Sequence, residues 1–168
     1  MIHIQVPATS ANLGSGFDSL GIALTLYNHV WMEESDTLEI SSKDSVKVPS
    51  DEHNLIYQTV CSVYKECGKK LPGLRLIQQN NIPMARGLGS SSACIVAGIL
   101  GANRMLGNPF LEQELINLAA KIEGHPDNTT PAMEGGLVAS AMEAGRVYSV
   151  SVPVSEKICF ALFIPPFE

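Results

Sequence analysis

Apolar and polar positions alternate with two different periods along this chain, and each change of period marks a new element. "HIQVP" alternates every second residue and reads as a short first strand ended by Pro7, followed by the Gly/Ser/Asn-rich connection "ATSANLGSGFDSLG". "IALTLYNHVWMEE" is long enough for an extended strand, and "TLEIS", after a turn at Ser35 and Asp36, is expected to pair with it. From Asn54 the spacing lengthens: Leu55, Ile56, Thr59, Val60, Val63, Tyr64 and Cys67 fall at helical intervals, with Asp51 or Ser50 as N-cap and Gly68 as the stop. "GLRLIQQN" returns to the strand period. "SSSACIVAGILGANRML" then reads as a small-residue helix ending at Gly107. Asn108 and Pro109 begin another helix, whose Leu111, Leu115, Leu118 and Ile122 form the buried stripe before Gly124. Three strand-like runs, "GLVASAM", "RVYSVSV" and "KICFALFI", follow.

Strands and helices are partly segregated, which predicts an α+β fold, a mixed sheet with helices packed on one face, over a doubly wound parallel sheet. No repeat or low-complexity linker interrupts it. The 168 residues suit one domain, and 45% hydrophobic against 17% charged residues describes a compact globular chain. Eleven Lys and Arg against seventeen Asp and Glu give a net charge of -6, a field that repels nucleic acid and anionic lipid, and no basic cluster offsets it. The N-terminal "MIHIQVPATS" has no targeting pattern and no apolar run approaches membrane-spanning length, so a cytoplasmic location is expected. Cys61, Cys67, Cys94 and Cys159 form no C-x-x-C pair and read as reduced thiols. The closing "ICFALFIPPFE" is an apolar run that reaches two prolines and stops, the pattern of an interrupted chain.

Three polar islands stand apart from this pattern. "PMARGLGSSSA" places a Gly-Leu-Gly turn directly before a helix near Ser90, where backbone N–H groups and the positive end of the helix dipole attract phosphate. Its serine hydroxyls suit phosphate oxygen or a metal ion, but neither G-x-x-x-x-G-K-[ST] nor G-x-G-x-x-G is present, Ser92 standing in place of the third glycine. Taken alone the loop fits a serine-capped turn equally well. "PATSANLGSGFDSLG" sets Asn12 and Asp18 on a glycine-rich segment between strands, residues that also stabilise ordinary turns. "EGHPDNTTPAMEGG" brings Glu123, His125, Asp127 and Asn128 within six residues at a helix end, without the spacing of a zinc site.

In this order the three islands resemble the GHMP kinase superfamily and, within it, the homoserine kinases; P-x-x-x-G-L-G-S-S is the superfamily's ATP-phosphate loop. The resemblance implies the ribosomal protein S5 domain 2-like layer over residues 1–168, as an N-terminal ATP-binding domain whose C-terminal companion lies outside this chain. It implies that Pro83, Met84, Ala85, Arg86, Gly87, Leu88, Gly89, Ser90, Ser91, Ser92 and Ala93 wrap the phosphates of ATP, with Asn54 near the adenine. Ser91, or its neighbour Ser92, and Glu123 would hold Mg2+. Asp18 would meet the ammonium of L-homoserine, while Asn12, His125 and Asn128 orient its polar end and hydroxyl; arginines for its carboxylate belong to the C-terminal domain. A homodimer is expected for the longer enzyme.

The implied reaction transfers phosphate from MgATP to the homoserine hydroxyl, on the route to threonine. Asn12, Asp127 and Asn128 are the candidate catalytic residues. Asp127 is the only carboxylate of the third motif between His125 and Asn128 and the candidate base, but a loose transition state favours positioning over a dedicated base. Two alternatives remain open: another GHMP small-molecule kinase, or a non-catalytic nucleotide- or RNA-binding module, against the last of which the acidic charge argues.

Overall fold

A computed structural model describes residues 1–155 and 157–163. The longest strand organises the rest. β1 (Ile2–Ala11) runs antiparallel along one whole edge of β2 (Leu20–Glu34). The other edge of β2 is shared: β4 (Leu74–Gln79) pairs with residues 29–34 and β5 (Leu137–Glu143) with residues 20–22, both antiparallel. β3 (Leu38–Ser42) adds parallel to β4, and β6 (Arg146–Val152) antiparallel to β5. The sheet is therefore mixed.

Alternation along the strands decides which face is covered. Ile4, Val6, Ala8, Val30, Met32, Leu74 and Leu76 share one core with residues of α1 (Leu55–Glu66), α2 (Ser90–Met105) and α3 (Glu112–Glu123), among them Val60, Val63, Val96, Ile99 and Leu115. Each large aliphatic side chain buried there contributes about 1.5–3 kcal/mol. On the opposite face His3, His29 and Trp31 stack on one another, and the Lys43 ammonium lies 3.4 Å from the Trp31 ring centroid. Helices on one face of a mixed sheet is the expected α+β arrangement.

α2 lies unusually close to its neighbours because it is rich in small residues. A Cβ on Gly98 would fall 2.7 Å from Thr59 Cβ of α1, and one on Gly101 would fall 2.6 Å from Met32 Cε and 2.9 Å from Ile4 Cδ1 of the sheet. At Gly98 a side chain would need Thr59 and the α1 backbone to shift, and at Gly101 the ends of Met32 and Ile4 would have to move aside.

Several local expectations change. β1 continues through Pro7 because no strand pairs with its other edge among the described residues, and the register breaks there, between Pro7 and Thr9. β3 pairs with β4 and not with β2; α1 is the crossover that lets two parallel strands lie side by side. The N-cap of α1 is Asn54, and Asp51 instead accepts from the His53 N–H at 3.0 Å. Leu111 is the N-cap of α3 and is 74% exposed, so it is outside the buried stripe. A short helix, α4 (Thr129–Glu134), occupies what reads in the sequence as loop. Residues 158–163 form no strand; Ile158, Phe160 and Leu162 instead line a cavity of about 430 Å³ against residues 23–26 of β2. The closing residues 164–168 lie outside the described residues. Among the described residues no helix is long and apolar enough to cross a membrane.

Candidate functional site

The glycine-serine loop wraps the N-terminus of α2. Gly89 adopts φ +65° as the residue before the helix and carries no side-chain cap, so the first-turn N–H groups remain available to an external acceptor. Residues 85–92, with Glu123 and Asn128, line a cavity of about 200 Å³. Glu123, the last residue of α3, reaches across to this helix: its carboxylate accepts from Ser92 Oγ at 2.8 Å and from Ser91 Oγ at 3.4 Å. Among the described residues it is the only acidic side chain lining the cavity.

A second cavity of about 300 Å³ adjoins the first, sharing Ala85, Ser90 and Ser91. Val48, Pro49, Leu55 and Met84 make much of its wall, and His53, Asn54, Gln78, Asn80 and Cys94 complete it. Asn54 is 2% exposed, and its side chain is fully engaged. Its Oδ1 accepts from the Ile56 and Tyr57 N–H groups at 3.0 and 3.3 Å, while Nδ2 donates to Pro49 O and Gln78 Oε1 at 2.9 and 2.8 Å. Asn54 thus shapes this cavity and caps α1 at once. Burial, reinforced by the charge of Glu123, pushes the Cys94 thiol up to about 11, so it presents a neutral surface.

The third island closes over the same loop. Thr9 of β1, with no exposed surface, donates through Oγ1 to Asn128 Oδ1 at 2.7 Å and through its N–H to Leu88 O at 3.1 Å. Asp127 is 1% exposed; one oxygen contacts His125 Nδ1 and the other has no partner among the described residues. Gly21 explains how this turn lies so close to the sheet: a Cβ there would overlap the Asp127 carbonyl and fall 2.8 Å from Pro131 Cγ.

The first island forms a loop of its own. Asn12 Oδ1 accepts from the Asp18 N–H at 2.8 Å, and the backbone of Asn12 donates to Leu20 O. No hydrogen bond between described side chains joins Asn12 or Asp18 to the other islands; the connection runs through Thr9 and Gly21 at the flanking strand ends. Asn12, Asp18 and Ala85 all hold positive φ (58°, 53° and 54°), three of the five described non-glycine residues that do. Asn and Asp adopt this region readily, so the strain, of order 1–3 kcal/mol, falls on Ala85 in the phosphate-type loop.

Of the residues singled out in the sequence, Ala85 through Ser92, Glu123 and Asn128 converge on one cavity. Met84 and Asn54 border the adjoining one, and Arg86 donates to Ala85 O at 3.2 Å. His125 and Asp127 join Asn128 from behind. Sequence reasoning passes over Thr9, Gly21, Gln78 and Cys94. Thr9 has no local marker, because its partner lies 119 residues away.

The model of the GHMP kinases N terminal domain matches residues 54–136, from the cap of α1 through the phosphate-type loop to the end of α4. The chain belongs to the GHMP kinases. The homoserine kinase of Caldicellulosiruptor saccharolyticus is 49% identical to it over 170 residues, covering 100% of this chain and 55% of that protein. The crystal structure of homoserine kinase from Cytophaga hutchinsonii superposes with a TM-score of 0.76 at 29% identity, covering 91% of this chain and 52% of that one. The Methanococcus jannaschii mevalonate kinase shares the fold alone, with a TM-score of 0.69 at 14% identity over 90% of this chain and 56% of that one. This GHMP kinase chain spans about 55% of the length of the curated relatives it matches.

Proposed function

We propose that residues 1–168 are the N-terminal, ATP-binding domain of a homoserine kinase, which transfers the γ-phosphate of ATP to the side-chain hydroxyl of L-homoserine. The observation that carries this reading is the pair of adjoining cavities: a small one ringed by backbone N–H groups and hydroxyls opens into a larger, more apolar one. A triphosphate fits the chemistry of the first and a purine that of the second. The homoserine kinases at 40–49% identity over 99–100% of this chain support the choice of acceptor.

The donor set also fits Mg2+, a hard cation that takes few protein oxygens and keeps its waters. Ser91, Ser92 and Glu123 offer only oxygen, and a lone carboxylate beside a phosphate cradle would repel the ligand unless a cation stood between them. Bound MgATP supplies the phosphoryl group and the charge neutralisation that phosphoryl transfer requires. The α2 N-terminus holds the anionic oxygens, and Glu123 holds the cation. Asp18, exposed at its turn, attracts the substrate ammonium; Asn12 holds that turn, and the Asn128 amide orients the acceptor hydroxyl. Asp127 is buried behind this surface against His125, which favours catalysis by alignment over proton removal by this carboxylate.

Calorimetric titration of MgATP into this chain tests the first half of the reading, and ADP release on addition of L-homoserine to a form extended to the relatives' length tests the second. Binding of MgATP that Glu123→Gln weakens at least tenfold, together with turnover of homoserine and not of mevalonate, is expected. MgATP binding unaffected by Glu123→Gln would remove the proposed cation site, and turnover of mevalonate in place of homoserine would reassign the substrate.

A further inference from the structure

We propose that Thr9 and Asp127 are positioning residues, which lock the Asn128 amide and the His125 imidazole in single orientations from the buried side of the site without touching substrate. The inference rests on the phosphotransfer reading above. Four side chains form one connected line: Thr9 Oγ1 donates to Asn128 Oδ1 at 2.7 Å, Asn128 Nδ2 reaches Asp127 Oδ1 at 3.5 Å, and the same Asp127 oxygen takes His125 Nδ1. The outer members are accessible and the inner ones are not: the His125 side chain is 44% exposed, against 1% for Asp127 and none for Thr9.

An asparagine amide can present either end to a ligand. With Oδ1 engaged by Thr9 and one Nδ2 hydrogen directed at Asp127, the second Nδ2 hydrogen is the one left over, and Asn128 becomes a donor of fixed direction. The imidazole is constrained in the same way. An ionised carboxylate only accepts, so Nδ1 carries the proton, and neutral His125 offers the Nε2 lone pair as an acceptor. That tautomer is the minor one of a free histidine side chain.

Among the described residues the Asp127 side chain is hydrogen-bonded only to its near neighbours His125 and Asn128. Its other oxygen is buried without a partner among the described residues, as are Thr129 Oγ1 and Thr130 Oγ1, and a buried carboxylate in that state is a liability for stability. Its close partner is a half-exposed histidine at the site, which is the pattern of a residue retained for orientation. Thr9 has a second attachment, from its N–H to Leu88 O, so the same residue holds the phosphate-type loop and the Asn128 amide in register.

The test compares Asp127→Ala, Thr9→Val and Thr9→Ser with the unaltered protein. Nitrogen-15 NMR of the four histidines, with His125 assigned through His125→Ala, should show His125 protonated at Nδ1 when neutral, and Asp127→Ala should return it to the tautomer mixture typical of a free histidine side chain. Thr9→Val should move the Asn128 side-chain amide resonances, and Thr9→Ser should restore them. In the extended form, Asp127→Ala should lower kcat for homoserine about 10- to 100-fold, the effect of losing an orienting partner. KM for ATP and the unfolding temperature should hold or, for the latter, rise. A His125 tautomer unchanged by Asp127→Ala, or a lowered unfolding temperature with kcat intact, would overturn the proposal. The tautomer is read without turnover, so a shifted tautomer in a protein that never phosphorylates homoserine would instead count against the functional reading on which the proposal rests.

Discussion

Two glycines separated by one residue in the phosphate-type loop should respond very differently to the same substitution. Gly87 and Gly89 have nearly equal φ, +67° and +65°, and an alanine at either position meets the left-handed penalty of about 1–2 kcal/mol. At Gly87 nothing lies within 4 Å of an added Cβ, so the penalty is the whole effect. At Gly89 the Cβ would overlap Thr9 Oγ1 and stand 3.2 Å from both Thr9 Cβ and Asn128 Oδ1. Overpacking of this kind adds about 1–3 kcal/mol, giving about 2–5 kcal/mol for Gly89→Ala. Removing the obstacle should recover part of it. Thr9→Ala alone costs about 1–2 kcal/mol for the lost hydrogen bond and methyl. The double variant should then be less destabilised than the sum of the two by about 1–3 kcal/mol. Urea unfolding of the four proteins and of Gly87→Ala supplies every term. Equal losses for Gly87→Ala and Gly89→Ala, with strict additivity toward Thr9→Ala, would refute the close approach of β1 to the loop.

Asn54→Ala should cost about 3 kcal/mol by urea unfolding, from the lost helix cap and from the buried Gln78 acceptor left without a donor; a loss below about 1 kcal/mol would show that its side chain is not engaged as described. Cys94 should resist alkylation through the range in which an ordinary thiol ionises, near pH 9, and become reactive only toward pH 11. The sign follows from its raised value in the folded state: the fold's preference for the neutral thiol is fully present below about pH 9 and lost as pH rises through about 11. Mass-resolved iodoacetamide labelling across pH checks this, and half-maximal labelling at Cys94 near pH 9 would contradict it.

The long helices and the three islands were legible because each carries a local signal. α1 and α2 sustain one period over 12 and 16 residues, and the islands concentrate Gly, Ser and Asn in an apolar chain. The pairing of β3 was not, since five alternating residues carry no direction; the strand-helix-strand order around α1 held the missing clue to a parallel neighbour. The resemblance puts Asn54 near an adenine; its hydrogen bonds go to cap and cavity wall, a division visible only once Gln78 stands beside it. α4 was missed because "TTPAME" is shorter than two helical turns and follows a polar turn. Thr9 was passed over because a single threonine in a polar island announces nothing about a partner on the far side of the chain.

Gly98 and Gly101 carry a mechanical consequence. With Thr59 on one side and Met32 and Ile4 on the other already inside the space a methyl would need, the α2 backbone packs closely against α1 and the sheet at once. The placing of its first turn is thereby tied to both layers, whereas Gly87, just ahead of it, stands in open space.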